Sequence, residues 1–152
     1  MQQWSVAVFT KLKAADALLD SAVAALVDQR DYLAAIVLAG SAEDVFQGCL
    51  QREGRLQDSV RSYLVRHMIL HESPDEAPLS PYKFVREVFN WLRHNDLNEE
   101  PQTFGFDAEA EAFMAVEQAL VNRHVLDGTL HGRYEEVKAL EHKLIGHVDS
   151  PV

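Results

Sequence analysis

Hydrophobic residues along this chain recur every three or four positions, which is the spacing of one face of an α-helix. The first such face predicts a helix from about 5 to 28. The short polar connection at 29–31 predicts an antiparallel hairpin with the next helix, and Asp31 is the expected N-cap of that second helix. The residues of the face are Trp4, Val8, Leu12, Ala15, Leu19, Ala22 and Leu26.

The stretch 32–50 is the longest run that is almost free of charge, and its large hydrophobic residues cover most of the helical circumference. A helix of that kind is usually buried, so we predict that 32–50 is the central and most buried helix. About 20 apolar residues can also span a membrane, but Glu43 and Asp44 interrupt this run, which favours the core of a soluble bundle. Gly40, Asp44 and Gly48 share one face, and the small residues there would let a neighbouring helix approach closely.

The same periodicity predicts further helices after a stop near Gly54, and no segment shows a strand pattern. The chain is therefore expected to form an all-α, single-domain, up-and-down bundle of five or six helices over 1–152. The third helix is predicted at 56 to 72, and the fourth at 81 to 95 after an N-cap at Ser80. The fifth begins after a cap at Asp107 and ends at Gly128, and its face carries Phe113, Val116, Leu120 and His124. The last helix carries Tyr134, Val137, Leu140 and Leu144.

Composition narrows the class of protein. The 152 residues are 47% hydrophobic and 25% charged, which is ordinary for a globular protein. A net charge of −10 repels phosphate backbones, so we do not expect a nucleic-acid partner. The single cysteine, Cys49, excludes a disulfide framework and favours a reducing cytoplasm. The first residues lack the pattern of a signal peptide, and we expect no membrane association.

The acids of the central helix are the first candidates for chemistry, because a carboxylate on a buried face is costly unless it is paired or hydrogen-bonded. Glu43 or Asp44 is expected to meet an arginine or a helix terminus from elsewhere in the bundle. The alternative makes Glu43 part of a polar functional site. His67 and His71 are four residues apart, a spacing that can hold a metal between two imidazoles. The sequence offers no third ligand, so we expect neither a metal nor another cofactor.

The segment from Asn90 to Asp96 is the densest polar cluster in the chain. Glu87, Asn90 and His94 lie along one strip of the predicted helix, since residues three, four and seven apart stack on a helix surface. The strip is either a solvated face or, because Trp91 borders it, the mouth of a cleft. Glu43, Asn90 and His94 are therefore the candidate catalytic residues.

Part of this pattern resembles a family of small uncharacterised bacterial helical proteins. The segment FNWLRHNDLNEEPQTFGFD is similar to that family's motif NFFKHADRDP…F, and AFMAVEQALVNRHVLDGTL is similar to its next helix. Upstream, AIVLAGSAEDVFQGCL resembles its Ala-Gly-Ala-Ala-Glu helix, with Glu43 at the acidic position. The likeness covers about 30 to 130 and implies a helical fold without an established activity. The motif positions are Asn90, Trp91, Arg93, His94, Asp96, Pro101 and Phe106.

A more distant resemblance is to HEPN-type bundles, which pair an Ala/Glu-rich helix with an Arg-x(4–6)-His ribonuclease motif. Glu43 and His94 match those two elements, and Asn90 suits the polar position. Phe89 occupies the arginine position, which is a departure from the motif. Arg66-x4-His71 fits the bare spacing elsewhere in the chain.

These patterns predict a small cytoplasmic interaction or accessory protein that is not an enzyme. It is expected to form a homodimer, and another protein is a second candidate partner. Two rival hypotheses remain open. One is a HEPN-like ribonuclease with a degenerate motif. The other is a metal- or ligand-binding bundle that uses His67, His71 and Glu43.

Overall fold

The computed structural model describes residues 7–71, 87–93, 103 and 105–145. Within these residues the chain is a bundle of α-helices and contains no strand, which confirms the predicted fold class. The helices are α1 (Lys11–Ala24), α2 (Tyr32–Arg52), α3 (Val60–His71), α4 (Glu87–Arg93), α5 (Ala108–Asp127) and α6 (Tyr134–Ile145).

The start of α1 differs from the prediction. Residues 7–10 are not helical, and α1 begins only after Thr10, whose side chain accepts a hydrogen bond from the Lys13 backbone N–H at 3.1 Å. The hydrophobic period extends upstream of Thr10, but Val8 is 91% exposed and is not part of a buried face. The predicted start near Ser5 is therefore wrong for 7–10. Thr10 caps the N-terminus of the helix, and the residues 7–10 are exposed and do not pack against the bundle.

The connection between α1 and α2 follows the prediction. The last turn of the first helix widens into a π-helical segment, Ala25–Gln29, and Arg30 adopts a left-handed conformation with φ of 53°. Asp31 then caps α2, since its carboxylate accepts from the Ala34 N–H at 3.1 Å. The two helices pack along each other as a hairpin.

Helix α2 lies at the centre of the described bundle and packs most extensively against α1 and α5. It is also the one described helix whose length and hydropathy would suffice to cross a membrane, a property that core helices of soluble proteins share. Its buried residues form the largest such set in any described helix: Ala35, Ile36, Ala39, Gly40, Ala42, Glu43, Phe46 and Leu50.

A close approach between α2 and α4 occurs at Gly40. A Cβ atom on Gly40 would lie 2.2 Å from the ring of Phe89, which is 5% exposed. The small residue predicted to admit a neighbouring helix therefore does so at Gly40. At Gly48 the nearest such atom is 4.0 Å away and belongs to Arg52 in the same helix, so no close approach occurs there.

The start of the third helix also differs from the prediction. We predicted one helix from 56 to 72, but a 3₁₀ turn, Leu56–Asp58, comes first and Ser59 is extended, so that α3 begins at Val60. The physical reason is local, because the Ser59 hydroxyl accepts from the Ser62 N–H at 3.1 Å and so acts as an N-cap.

The boundaries of α5 were predicted correctly, since Asp107 accepts from the Ala110 N–H at 3.0 Å and Gly128, with φ of 80°, ends the helix. His124 was predicted to continue the face of Phe113, Val116 and Leu120, but it is exposed whereas those three residues are buried. The predicted helix start at Ser80 lies outside the described residues.

Candidate functional site

The most buried charged group of the described chain is Glu43, which is 3% exposed. One of its carboxylate oxygens, Oε1, accepts a hydrogen bond from Asn122 Nδ2 at 3.0 Å. The other, Oε2, is paired with the guanidinium of Arg61. These three residues, the Glu43 cluster, belong to α2, α5 and α3 respectively. Burial of an ion pair is favourable only with good geometry and satisfied hydrogen bonds. Both oxygens of Glu43 have partners, whereas the Nε atom of Arg61 is buried without a hydrogen-bond partner among the described residues.

Asn122 connects the cluster to the start of α3. Its side chain is fully buried, and Oδ1 accepts from the backbone N–H of Val60 at 2.8 Å. That N–H is one of the first-turn groups of a helix that have no partner within the helix. Next to it, the Ser59 hydroxyl donates to Ser62 Oγ at 2.9 Å, and the Ser62 hydroxyl donates to the Leu56 carbonyl at 2.9 Å. Asn122, Ser59 and Ser62 therefore hydrogen-bond one another's neighbouring polar groups at the start of α3.

Asp44 extends the charge network to the surface. Its Oδ1 accepts from Arg61 at 3.2 Å and its Oδ2 from Arg93 at 3.1 Å, so that it ties α2 to both α3 and α4. The Arg93 guanidinium also lies over the ring of Phe89, 5.2 Å from its centroid. The arginine partner that we expected for Glu43 or Asp44 is thus present for both acids.

Of the other candidates of the sequence, only the side chain of Asn90 lies within the described residues. Asn90 is half-buried on α4, and among the described residues no hydrogen bond joins it to Glu43. His94 lies outside the described residues. His67 and His71 belong to α3, but their side chains are also outside the described part. Within that part, no three His, Cys, Asp or Glu residues gather as potential metal ligands.

Sequence reasoning missed Asn122, although a signal for it exists. Asn122 is three residues after Ala119, which is fully buried, and residues three apart are neighbours on a helix surface. It therefore lies on the buried face of α5, where an amide needs partners. Its partner Glu43 is 79 residues away along the chain, so periodicity alone could not pair them.

A second network, the loop cluster, joins α1, α5 and the loop before α6. It consists of Asp16, Asp20, Arg123, His131 and Arg133, which line an open cavity of about 530 Å³. Arg123 is 8% exposed, and its Nε donates to Asp16 Oδ1 at 2.7 Å. Asp20 Oδ1 lies 2.7 Å from His131 Nε2. The first contact joins α5 to α1, and the second joins the loop to α1.

Two carboxylates outside the cavity add further connections, Asp28 from the end of the first helix and Asp127 from the end of α5. Arg133 donates to Asp28 at 2.6 and 2.7 Å, and this hydrogen-bonded pairing lowers the pKa of Asp28. Asp127 accepts from Arg123 Nη1 at 2.8 Å and from the backbone N–H of Thr129 at 3.0 Å. Hydrogen bonds from the Thr129 side chain and backbone, together with Arg123, lower the pKa of Asp127 to about 2.

Comparisons of the chain with protein-family models, with curated proteins and with solved structures found no significant match. Function is therefore inferred from the geometry of the chain's own residues.

Proposed function

We propose that this protein is a non-catalytic helical-bundle interaction module that associates as a homodimer. The observation that carries the proposal is the internal use of Glu43, whose two oxygens are both engaged by Asn122 and Arg61 within the bundle. Through these contacts Glu43 on α2 is joined to α3 and to α5.

Catalysis makes a different demand on an acid. A general acid or base must come within hydrogen-bonding reach of a reacting group, and a side chain that is 3% exposed offers substrate little access. Ribonuclease chemistry would also need cationic stabilisation of the developing phosphate charge. The motif position that would supply an arginine holds Phe89, which is buried against Gly40. These observations favour a structural use of the residues that resemble a catalytic motif.

The surface supports self-association. Val8 and Phe9 are 91% and 66% exposed and are the two most exposed large hydrophobic residues in the described chain. They are adjacent and lie just before Thr10, the N-cap of α1. Because symmetric pairing buries the same apolar patch twice, the occupant that we propose for this patch is a second copy of the chain. The charge of −10 on each copy opposes pairing, so the dimer should be stabilised by salt, which screens that repulsion.

Sedimentation equilibrium at tens of micromolar protein tests this proposal. We expect a dimer whose dissociation constant falls as salt is raised, and we expect Phe9→Ser to weaken it. Leu130→Ser is the matched control, because Leu130 is 56% exposed but lies in the loop before α6. A monomer at every salt concentration, or equal weakening by both variants, would contradict the proposed dimer.

The absence of catalysis is tested separately by incubating the same samples with single-stranded RNA. Intact RNA is the expected result. Cleavage by the wild type that disappears in His94→Ala, while the melting curve stays unchanged, would show that the ribonuclease hypothesis is right.

A further inference from the structure

The side chain of His131 makes two hydrogen bonds of opposite sense. Its Nε2 lies 2.7 Å from Asp20 Oδ1, and its Nδ1 accepts from the backbone N–H of Arg133 at 3.0 Å. A carboxylate can only accept, so Nε2 must carry a proton. A backbone N–H can only donate, so Nδ1 must be unprotonated. The two contacts together require the neutral imidazole with its proton on Nε2.

That tautomer closes the turn from which α6 begins. The Arg133 N–H bonds back to the ring two residues earlier, and the Tyr134 N–H donates to the His131 carbonyl at 3.0 Å. The turn directs the Arg133 side chain towards Asp28 and Glu136, with which it forms ion pairs at 2.6 and 2.8 Å. It also supplies His131, Gly132 and Arg133 to the wall of the cavity.

We propose that His131 is a proton-sensitive switch in this turn. The neutral imidazole accepts the hydrogen bond from the Arg133 N–H, and an imidazole that has taken up a proton on Nδ1 cannot accept it. Protonation turns Nδ1 from an acceptor into a donor that faces the Arg133 N–H, so that hydrogen bond is lost. The bond from Nε2 to Asp20 persists in both states. Mild acid therefore loosens residues 131–134 while the ring stays attached to α1.

Apart from Asp20, which holds Nε2, the charged groups around the ring have partners of their own. The charged groups lining the same cavity are Asp16 and Asp20 on α1, Arg123 on α5, and Arg133 in the turn itself. Two carboxylates face two guanidiniums, and each guanidinium is already paired with an acid. The His131 side chain is 15% exposed, so a proton can reach it from solvent. Histidine is the side chain that ordinarily changes charge between about pH 5 and 8.

The first test reads the tautomer directly. The ¹⁵N chemical shifts of the two ring nitrogens of His131 are measured in the full chain at about pH 7.5, where histidine is ordinarily neutral. We expect a protonated Nε2 and an unprotonated Nδ1. A proton on Nδ1 at that pH would overturn the proposal.

The second test measures how firmly the turn is held. Amide hydrogen exchange of Arg133 and Tyr134, corrected for the intrinsic effect of pH, is compared at about pH 7.5 and about pH 5. We expect protection to fall by about three- to tenfold in the wild type, the usual range for one lost hydrogen bond. In His131→Asn, the side-chain oxygen can still accept from the same N–H and does not titrate, so protection should stay constant. Unchanged protection in the wild type, or an equal fall in the variant, would overturn the proposal.

Discussion

Asn122 and Glu43, 79 residues apart in the chain, meet in the bundle core with 3.0 Å between Nδ2 and Oε1. Because the same amide also accepts from the Val60 N–H, one side chain joins α5 to both α2 and the first turn of α3. The contact explains why a carboxylate can occupy the most apolar helix of the chain.

Replacing Asn122 with Leu should lower the free energy of unfolding by about 2 kcal/mol. The change leaves a buried carboxylate oxygen and a buried backbone N–H each without the amide, and loss of one partner of a buried hydrogen bond costs about 1–3 kcal/mol. Urea denaturation followed by circular dichroism measures the change. His124→Ala, two residues away but exposed, is the control and should stay within about 0.5 kcal/mol of the wild type. Equal stability of the two variants would count against a structural role for Asn122.

Alanine substitutions at two glycines of α2 should act in opposite directions. In Gly40→Ala the new methyl group would lie 2.2 Å from the Phe89 ring. Overpacking costs about 1–3 kcal/mol, and the better helix propensity of alanine offsets about 1 kcal/mol. We therefore expect a net loss of up to about 2 kcal/mol, part of which Phe89→Leu should restore.

Gly48→Ala is the matched substitution in the same helix, with no neighbouring helix in the way. It should gain up to about 1 kcal/mol from helix propensity alone. Thermal or urea unfolding of both variants provides the comparison. A Gly40→Ala variant as stable as Gly48→Ala would show that α2 and α4 do not approach as closely as described.

The attachment of the loop to α5 should weaken in acid. The pKa of Asp127 is lowered from its ordinary 3.8 to about 2 by Thr129 and Arg123. The unfolded chain therefore takes up this proton first as pH falls, and the stabilisation that Asp127 provides is lost between about pH 4 and about pH 2. Asp28 and Glu136, whose pKa values Arg133 also lowers, add to the same decline.

Urea midpoints at neutral pH, about pH 4 and about pH 2.5 measure that decline. Asp127→Asn should be less stable than the wild type at neutral pH and should lose less stability on acidification. Parallel curves for the two proteins would exclude this contribution of Asp127.

The elements that the sequence predicts well are those whose signals are local. Asp31 and Asp107 predict helix starts, and Gly128 predicts a helix end. The hydrophobic residues of 32–50, which cover most sides of the helix, predict a core helix. The two misplaced starts, at 5 and 56, have local causes too. At Thr10 and Ser59 a capping hydroxyl overrides a hydrophobic period that continues past it.

The candidate site was predicted only in part, because its partners are distant in sequence. The acidic character of 43–44 marked one side of the Glu43 cluster, and an arginine partner was expected. Nothing local identifies Arg61 among the arginines, and Asn122 lies in a segment read for its apolar positions alone. The loop cluster was missed for the same reason, since Asp16 and Arg123 are 107 residues apart.

The claim that Glu43 holds the bundle together is tested most directly by the unfolding free energy of Glu43→Gln at neutral pH. Glutamine keeps the shape but removes the charge that faces Arg61, so we predict a loss of about 2 kcal/mol or more. The exposed Glu109→Gln is the control and should change stability by less than about 0.5 kcal/mol. Residues kept for function commonly reduce stability, and their replacement often restores it. A Glu43→Gln variant at least as stable as the wild type would therefore contradict the structural role assigned to this acid.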